Sequence, residues 1–379
     1  MKIVIAPDSF KGSVSAMEAA IAIEKGVKNA FSNAKTVLLP VADGGEGTLE
    51  TLVSATNGEK VYEKVNGPLG KEVNAHFGVL GDRSTCVIEM AVASGLNLIE
   101  EDERNPMLTT TYGTGELIKE ALDKGYRNFV LAIGGSATND GGAGMLQALG
   151  MQLIDKEGKE IGYGGGELGK IHYISTENFD KRIKESTFLI ASDVENPFVG
   201  EKGASHVFGP QKGATDEMVE ILDQNLLHFA NHVEKNTGVR LHDMPGAGAA
   251  GGIGGAFLAF FPSNMKRGIE VVLEYASFDE ALNGADLVIT GEGKVDFQTA
   301  YGKTPMGVAQ AAQRKGVPTI ILAGAVGENI RNLYKNGVVG IFSIINQPMS
   351  LENAMKEAEN LLEKSVEQIC RTYFWNGFQ

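Results

Sequence analysis

The sequence predicts an α/β protein with two domains: a doubly wound parallel α/β domain built from both ends of the chain, with a second, mixed α/β domain inserted. Three observations support this prediction. Strand and helix patterns alternate at both ends, the middle of the chain is patterned differently, and a length of 379 residues suits two domains. The 43% hydrophobic content is that of a globular protein.

The N-terminal segment alternates between strand-like and helix-like patterns. Residues 2–7 and 35–41 are short apolar runs typical of buried strands. Residues 15–31 and 47–56 carry apolar side chains at helical spacing. This order is typical of a parallel sheet covered by helices.

The same alternation returns near the C-terminus. The strands predicted there span residues 287–290, 319–323 and 340–345, and the helices span residues 304–315, 329–336 and 351–373. Because the two ends share one pattern, we assign residues 1–64 and 285–379 to one discontinuous domain, Rossmann-like or flavodoxin-like in type.

The central part of the chain has another pattern. Residues 60–90 contain three short alternating runs separated by turn residues, which are typical of antiparallel strands. Further strands are predicted at residues 129–133 and 188–192. We assign residues 65–284 to an inserted α/β domain with a mixed sheet, and we expect the active site in the cleft between the domains.

Composition narrows the range of functions. The net charge of −14 argues against general binding to nucleic acid or membrane surfaces. The only cysteines, Cys86 and Cys370, are too few for a disulfide framework. No signal peptide or membrane span is predicted. We therefore expect a cytoplasmic protein with a small-molecule substrate and no nucleic-acid or membrane partner; no pattern indicates an oligomeric state.

The most informative motif is an Asp-Gly-Gly-x-Gly turn that occurs twice, at residues 43–47 and 140–144. Each copy follows a strand-like run and precedes a helix-like one. Glycines at such a corner let backbone N–H groups approach an anion, and an aspartate there suggests a metal ion or proton transfer. This combination is typical of phosphoryl transfer from a magnesium nucleotide. The alternative is a tight turn whose aspartate caps the next helix.

Other polar residues follow predicted strands, where ligands of open parallel sheets bind. They are Asp8, Ser9 and Lys11 after the first strand, Ser136, Thr138 and Asn139 within the glycine-rich stretch 134–144, and Asp193 and Asn196 after the strand at 188–192. Lys212, in a Pro-Gln-Lys-Gly loop, is a candidate phosphate contact. The alternatives are turn-capping side chains and solvated lysines.

Three further glycine-rich segments are ambiguous. Residues 246–251 and 164–169 both match the dinucleotide fingerprint, but no convincing strand precedes either one. Residues 291–299 form a third glycine corner, after the strand predicted to end at Thr290, and contain Glu292, Asp296 and Gln298. We expect that corner to contact a metal ion or a ribose.

These segments together resemble the bacterial glycerate kinases. The matching stretches span residues 6–11, 42–48, 134–144, 209–213, 245–252 and 291–293, in the same order and with similar spacing. The resemblance implies a glycerate-kinase-like fold of two domains and ATP- and Mg²⁺-dependent phosphorylation of D-glycerate, with no P-loop. One departure is Gly12, which follows Lys11 where relatives often carry an acidic residue.

For this reaction the catalytic candidates are Asp193 as the favoured base, Asp43 as the alternative base, and Lys11. The predicted magnesium ligands are Asp43, Asp140 and Asp296, with Glu292 as a further candidate. The predicted substrate or ATP contacts are Asp8, Ser9, Gly44, Gly45, Arg104, Ser136, Thr138, Asn139, Asn196, Lys212, Gly248, Glu292 and Gln298.

Two other functions fit parts of the sequence. An NAD-dependent hydroxy-acid dehydrogenase would use a fingerprint match and requires a strand before Gly246. A non-catalytic sensor of small acids would not need the carboxylates that follow the predicted strands. For the kinase, the resemblance favours 2-phosphoglycerate over 3-phosphoglycerate as the product.

Overall fold

The computed structural model describes residues 1–297, 299 and 303–375. Its strands, in chain order, are β1 (Lys2–Ile5), β2 (Lys35–Leu38), β3 (Glu59–Asn66), β4 (Glu72–Val79), β5 (Thr85–Glu89), β6 (Asn128–Ala132), β7 (Gln152–Ile154), β8 (Tyr173–Ser175), β9 (Thr187–Ala191), β10 (Ser263–Lys266), β11 (Leu287–Val295), β12 (Thr319–Val326) and β13 (Val338–Ser343).

The α-helices in the same ranges are α1 (Ala16–Ala30), α2 (Thr48–Ala55), α3 (Ala91–Ser94), α4 (Tyr112–Asp123), α5 (Ala143–Ala148), α6 (Ala204–Phe208), α7 (Asp216–Thr237), α8 (Ile253–Phe260), α9 (Gly268–Tyr275), α10 (Phe278–Ala281), α11 (Thr304–Arg314), α12 (Leu351–Lys356) and α13 (Ala358–Tyr373). Short 3₁₀ turns at Pro210–Lys212 and Ala249–Gly252 carry residues of interest below.

The chain divides into two compact units. The first comprises Met1–Asp43, Glu50–Ala55 and Ile269–Gln379, and the second comprises Gly44–Leu49 and Thr56–Gly268. This division differs from the expected boundaries at 64/65 and 284/285. Antiparallel pairing with β4 keeps all of β3 in the second unit, and Ile269 at the start of α9 packs against Gly307 of α11 in the first unit.

The sheet of the first unit has five strands, all parallel, in the order β13-β12-β11-β1-β2. From the central pair β1/β11, successive strands are added outward in both directions. Such a pair is the topological switch point of a doubly wound sheet, and ligands bind beyond its carboxyl ends. The doubly wound domain predicted from the sequence is confirmed.

Strand β11 is longer than the sequence pattern indicates. We expected it to end at Thr290, but it continues to Val295, because Lys294 and Val295 still pair with Ala325 and Val326 of β12. The prediction of a glycine corner after Thr290 is therefore wrong. Glu292 lies within the strand, and Asp296 directly follows it.

Helix α1 shows how local sequence sets an element of the first unit. Ser15 and Glu18 form a capping box at its N-terminus, in which each side chain accepts a hydrogen bond from the backbone N–H of the other residue. Ile23 and Val27 are completely buried in a core that also contains Leu362 of α13. Apolar residues at helical spacing therefore face the core, as predicted.

The sheet of the second unit is mixed, as predicted, with six strands in the order β10-β9-β6-β5-β4-β3. Strands β3, β4 and β5 form the expected antiparallel run, whereas β5, β6, β9 and β10 are parallel. The ends of the four parallel strands are in register: Glu89 is paired with Ala132, Ala132 with Ala191, and Ala191 with Lys266. Residues that follow these four positions therefore share one edge of the sheet.

Aromatic side chains consolidate the core of the second unit. The rings of Phe129 and Phe188, on neighbouring strands, stack with centroids 4.7 Å apart, and Phe261 meets Phe188 edge-on at 4.9 Å. This packing fixes β6 and β9 against each other and so sets the positions of the loops that follow them.

Among the helices described, none is both long enough and apolar enough to span a membrane.

Candidate active site

A cavity of about 140 Å³ lies in the second unit, in the loops that follow β6 and β9. Its wall combines polar and apolar residues, which are Leu96, Ile133, Gly134, Gly135, Ser136, Ser192, Val194, Phe208, Gln211, Lys212 and Ala250. We call this space the acid cavity. Its size suits a small molecule of a few heavy atoms.

Lys212 gives the acid cavity a buried cation. Its side chain is 2% exposed, and its Nζ donates to Ser136 Oγ at 2.8 Å and to the Thr138 carbonyl oxygen at 2.6 Å. Burial lowers the pKa of Lys212 to about 7, against the opposing effect of the Asp140 carboxylate. A buried ammonium with few charged neighbours is a suitable partner for a carboxylate or a phosphate.

Three predicted contacts near Lys212 have a buried polar atom with no hydrogen-bond partner among the described residues. These atoms are Arg104 Nε, Thr138 Oγ1 and Asn139 Oδ1. The backbone of Arg104 packs directly against Gly213, the residue after Lys212. Since buried polar groups are nearly always satisfied, these unpartnered atoms favour a ligand or water close to Lys212.

Asp193 is the second residue after β9, between Ser192 and Val194, which line the acid cavity. Its Oδ1 accepts a hydrogen bond from the backbone N–H of Gly268 at 2.9 Å, and the residue is exposed. Gly268 follows β10, so the neighbouring strand ends fix the orientation of this carboxylate. Asn196 has a local role, since its Nδ2 donates to the Lys202 carbonyl oxygen at 2.8 Å.

The first Asp-Gly-Gly-x-Gly turn packs on the same edge of the sheet. Gly44 has φ +89°, and a Cβ there would lie 2.9 Å from the Ala191 carbonyl oxygen, so only glycine fits. Gly45 lies against Gly134 so closely that a Cβ on Gly134 would come within 2.6 Å of the Gly45 Cα. The buried carboxylate of Glu89 accepts hydrogen bonds from the backbone N–H groups of Gly47 and Leu49.

The second copy of the turn has a different role from the one expected. Asp140 is completely buried, and its carboxylate accepts hydrogen bonds from the hydroxyl and N–H of Thr111 and from the N–H groups of Gly142 and Gly144. Burial raises the pKa of Asp140, and these hydrogen bonds act against that rise. These contacts fit the alternative interpretation of the motif, a turn-capping aspartate, better than they fit a magnesium ligand.

We expect Asp140→Asn to destabilise the second unit by about 2–4 kcal/mol, because the amide NH₂ would face backbone donors and leave them unsatisfied. Thermal unfolding would show this as a lower midpoint. Asp155→Asn is the matched control: Asp155 Oδ1 accepts from Glu157 N–H at 2.9 Å and Lys159 N–H at 2.8 Å in a turn that asparagine also suits. Equal midpoints for both variants would contradict the role assigned to Asp140.

The first unit carries a second group of polar residues, at the switch point between β1 and β11. Asp8 N–H donates to the Gly291 carbonyl oxygen at 2.8 Å, and Asp8 Oδ2 accepts from Thr304 Oγ1 at 2.6 Å. Burial raises the pKa of Asp8 to about 6, with the Asp43 charge adding to the effect. Burial also raises the pKa of Glu292 to about 7, and the charges of Asp8 and Asp296 contribute.

The remaining predicted residues of the first unit lie around this switch point or in the loops beside it. Ser9 N–H donates to Asp8 Oδ1 at 2.6 Å, and Lys11 is exposed in the same loop. Asp296 is 14% exposed, with Lys294 Nζ at 3.3 Å from its Oδ2. Asp43 is exposed. Gln298, a predicted contact, lies outside the described residues.

The described residues contain no group of three or more His, Cys, Asp or Glu side chains placed to hold a metal ion. A magnesium ion that travels with a nucleotide needs only one or two protein carboxylates, because phosphates and water supply the other ligands. Asp8 and Glu292 suit that requirement. Both are half-buried carboxyl groups whose pKa is raised first by burial and further by neighbouring acids, and a bound cation would stabilise their charged forms.

Several residues of these two sites were missed by the sequence analysis. They are Glu89, Thr304, Ser192 and Gln211. Glu89 and Thr304 gave no sequence signal, because their partners lie about 40 and 300 positions away in the chain.

The two dinucleotide fingerprints lack the structural context of an NAD site. No strand occurs in the described segment 241–245 before Gly246, and the segment around Gly164 forms a 3₁₀ turn. Gly248 is a packing position, since a Cβ there would lie 2.1 Å from the Pro197 carbonyl oxygen. These observations remove the basis for a dehydrogenase.

Comparison with known proteins gives the family. A sequence profile of the glycerate kinase family matches residues 3–374. The chain belongs to the glycerate kinase family. It is 52% identical over 370 residues to the glycerate kinase of Bacillus subtilis, covering 98% of this chain and 97% of that protein. It is 47% identical over 372 residues to the glycerate 2-kinase of Escherichia coli, covering 98% of each.

A solved structure supports the same assignment. The crystal structure of a putative glycerate kinase 2 from Salmonella typhimurium matches with a TM-score of 0.90 and 46% identity, and the match covers 100% of both chains. The resemblance stated from the sequence motifs is therefore confirmed, and so is the α/β fold class. Membership of the glycerate kinase family makes this protein an enzyme of the kinase class.

Proposed function

We propose that this family member transfers the γ-phosphoryl group of ATP to a hydroxyl group of D-glycerate in a magnesium-dependent reaction, with 2-phosphoglycerate as the product. One observation carries the proposal: the acid cavity places the buried Lys212 and Ser136 where β6 and β9 end. The 2-position is supported by the Escherichia coli relative, a glycerate 2-kinase.

The acid cavity suits the substrate because glycerate is a small anion with two hydroxyl groups. Lys212 supplies a cation in a buried setting, where a charge-assisted hydrogen bond to a carboxylate is strong. Ser136 and Ser192 offer hydroxyl groups, and Gln211 offers an amide, for the hydroxyl groups of the acid. Arg104 and Asn139 have unpartnered atoms in neighbouring segments and are the next candidates for substrate contacts.

Asp193 is the proposed base. The attacking hydroxyl group must lose its proton as the bond to phosphorus forms, and a positioned carboxylate can accept that proton. The hydrogen bond from Gly268 N–H orients the Asp193 carboxylate beside residues that line the acid cavity. Asp43 remains the alternative base.

The switch point of the first unit is the proposed nucleotide site. Helix α11 begins there with Thr304, so the positive end of its dipole favours phosphate at this position, and Lys303 and Lys11 add positive charge. We propose that Asp8 and Glu292 hold magnesium, with Asp296 and Asp43 as the candidates named from the sequence. The ion neutralises charge on the phosphates when it is bound.

Two buried, unpaired cysteines suit a cytoplasmic location.

The test is an assay of ATP consumption with D-glycerate and magnesium, in which phosphorus NMR identifies the product. Formation of 2-phosphoglycerate is the expected result, and 3-phosphoglycerate would correct the regiochemistry alone. Turnover of another hydroxy acid, but not of glycerate, would keep the kinase and replace its substrate. Tight binding of an acid without any turnover would favour the sensor instead.

We expect kcat/KM for glycerate to fall as the pH rises above about 7. Burial lowers the pKa of Lys212 to about 7, so the free enzyme loses the ammonium that binds the carboxylate as pH passes that value. The decline would approach tenfold per pH unit. A profile measured from pH 6 to 9 tests this, and a flat profile across that range would contradict a charged Lys212 in substrate binding.

A further inference from the structure

One residue of the acid cavity has an unusual backbone conformation. Ala250 has φ 52° and ψ 44°, in the left-handed region that residues with a Cβ rarely adopt. It is followed by Gly251 and Gly252, with φ values of 71° and 95°. A side chain is present at the first of three successive left-handed positions, where glycine would be the unstrained choice.

The two glycines after Ala250 are required by packing. A Cβ on Gly251 would lie 1.9 Å from the Thr138 carbonyl oxygen, and one on Gly252 would lie 2.8 Å from the Phe198 ring. Ala250 packs against the hydrophobic core of the second unit and also lines the acid cavity, so it forms part of the boundary between them. Residues in strained conformations cluster at functional sites, where the surrounding structure holds them in place. Ala250 fits that pattern because it lines the acid cavity.

The wall at Ala250 is rigid. A Cβ atom is fixed by the backbone and has no rotamer to change, and the packing of Gly251 and Gly252 fixes the backbone on one side. The cavity has a volume of about 140 Å³, so the volume of one methyl group is large relative to the available space. A ligand whose carboxylate is held by Lys212 therefore cannot gain room by moving this wall.

We propose that the methyl group of Ala250 determines the length of the acid that the cavity accepts, so that three-carbon hydroxy acids are selected over four-carbon ones. This inference rests on the proposed function, because it takes the acid cavity as the substrate site. One additional carbon against a rigid apolar wall changes kcat/KM by about 10–200-fold.

Ala250→Gly is the test, with Ser277→Gly as the control. Ser277 is an exposed residue with nearly the same conformation, φ 51° and ψ 40°, and it lies in the first unit. Turnover and calorimetric binding would be measured with D-glycerate and with 2,3,4-trihydroxybutanoate. We expect Ala250→Gly to raise the four-carbon to three-carbon ratio of kcat/KM about tenfold, and Ser277→Gly to leave that ratio at the wild-type value.

The outcomes separate this inference from the proposed function. If the wild type phosphorylates glycerate and Ala250→Gly leaves the ratio within about twofold, the inference is wrong and the proposed function stands. If the wild type binds glycerate without turnover, a tenfold shift in the ratio of binding constants upholds selection by Ala250 and rejects the kinase. If the wild type neither binds nor phosphorylates glycerate, both are rejected.

Discussion

Replacing Asp193 by asparagine is expected to lower kcat by about 10²–10⁴-fold with little change in KM for glycerate. The amide oxygen of asparagine can still accept the hydrogen bond that Gly268 N–H donates to Asp193 Oδ1 at 2.9 Å, so the local structure is retained. The amide cannot accept a proton from the attacking hydroxyl group. The loss is therefore confined to the transition state, and steady-state kinetics at saturating ATP would measure it.

Glu195→Gln is the matched control for this prediction, because it removes the same charge from an exposed side chain two residues further along the chain. It should retain wild-type kinetics, and the thermal midpoints of both variants should match the wild type. Asp43→Asn tests the alternative base. Near-native turnover in both Asp193→Asn and Asp43→Asn would show that neither residue is the base.

Replacing Lys212 by methionine is expected to raise KM for glycerate by at least about 30-fold. Methionine fills a similar volume but removes the buried ammonium that Ser136 and the Thr138 carbonyl group orient. The substrate carboxylate would then enter the acid cavity without a counter-ion, which is costly in a buried setting. Calorimetric titration with glycerate and steady-state kinetics would both show the loss.

The stability of Lys212→Met distinguishes a binding role from a structural one. The folded-state pKa of Lys212, about 7, is below its unfolded value. Between those two pH values, the folded protein therefore binds fewer protons than the unfolded protein. Lys212 lowers the free energy of unfolding, and this effect grows as the pH falls toward 7. At pH 7, the thermal unfolding midpoint of Lys212→Met should equal or exceed that of the wild type. This difference in midpoint should shrink toward pH 10.

Lys202→Met is the control for that variant, since Lys202 is exposed in the same part of the chain. It should change neither KM nor the midpoint. A KM for Lys212→Met within threefold of the wild-type value would remove Lys212 from the substrate site. A lower midpoint together with an unchanged KM would assign Lys212 a structural role.

Much of the fold could be predicted because it depends on local patterns. The alternation of strands and helices at the chain ends predicted the parallel sheet, and the three runs between residues 60 and 90 predicted β3, β4 and β5. The apolar residues at helical spacing over residues 15–31 predicted α1. Each of these signals lies within a window of a few residues, in which backbone preference and one-sided burial decide the structure.

The candidate site could be predicted only in part. Three of the predicted segments meet at one cavity, which is lined by Ser136, Lys212 and the neighbours of Asp193. The motifs did not predict the roles of particular carboxylates. The two Asp-Gly-Gly-x-Gly turns have the same local pattern, yet Asp140 is completely buried and saturated with hydrogen bonds, whereas Asp43 is exposed.

The sequence alone determined the family, the fold class and the strand ends that carry polar residues, because these follow from local periodicity and from motif order. Only the tertiary structure decided that β11 continues through Glu292, that Lys212 is buried beside Ser136, and that Glu89 caps the first glycine turn. Each of these depends on a partner between about 30 and 80 positions away in the chain. Burial and charge at one side chain are set by such long-range packing, which a local pattern does not record.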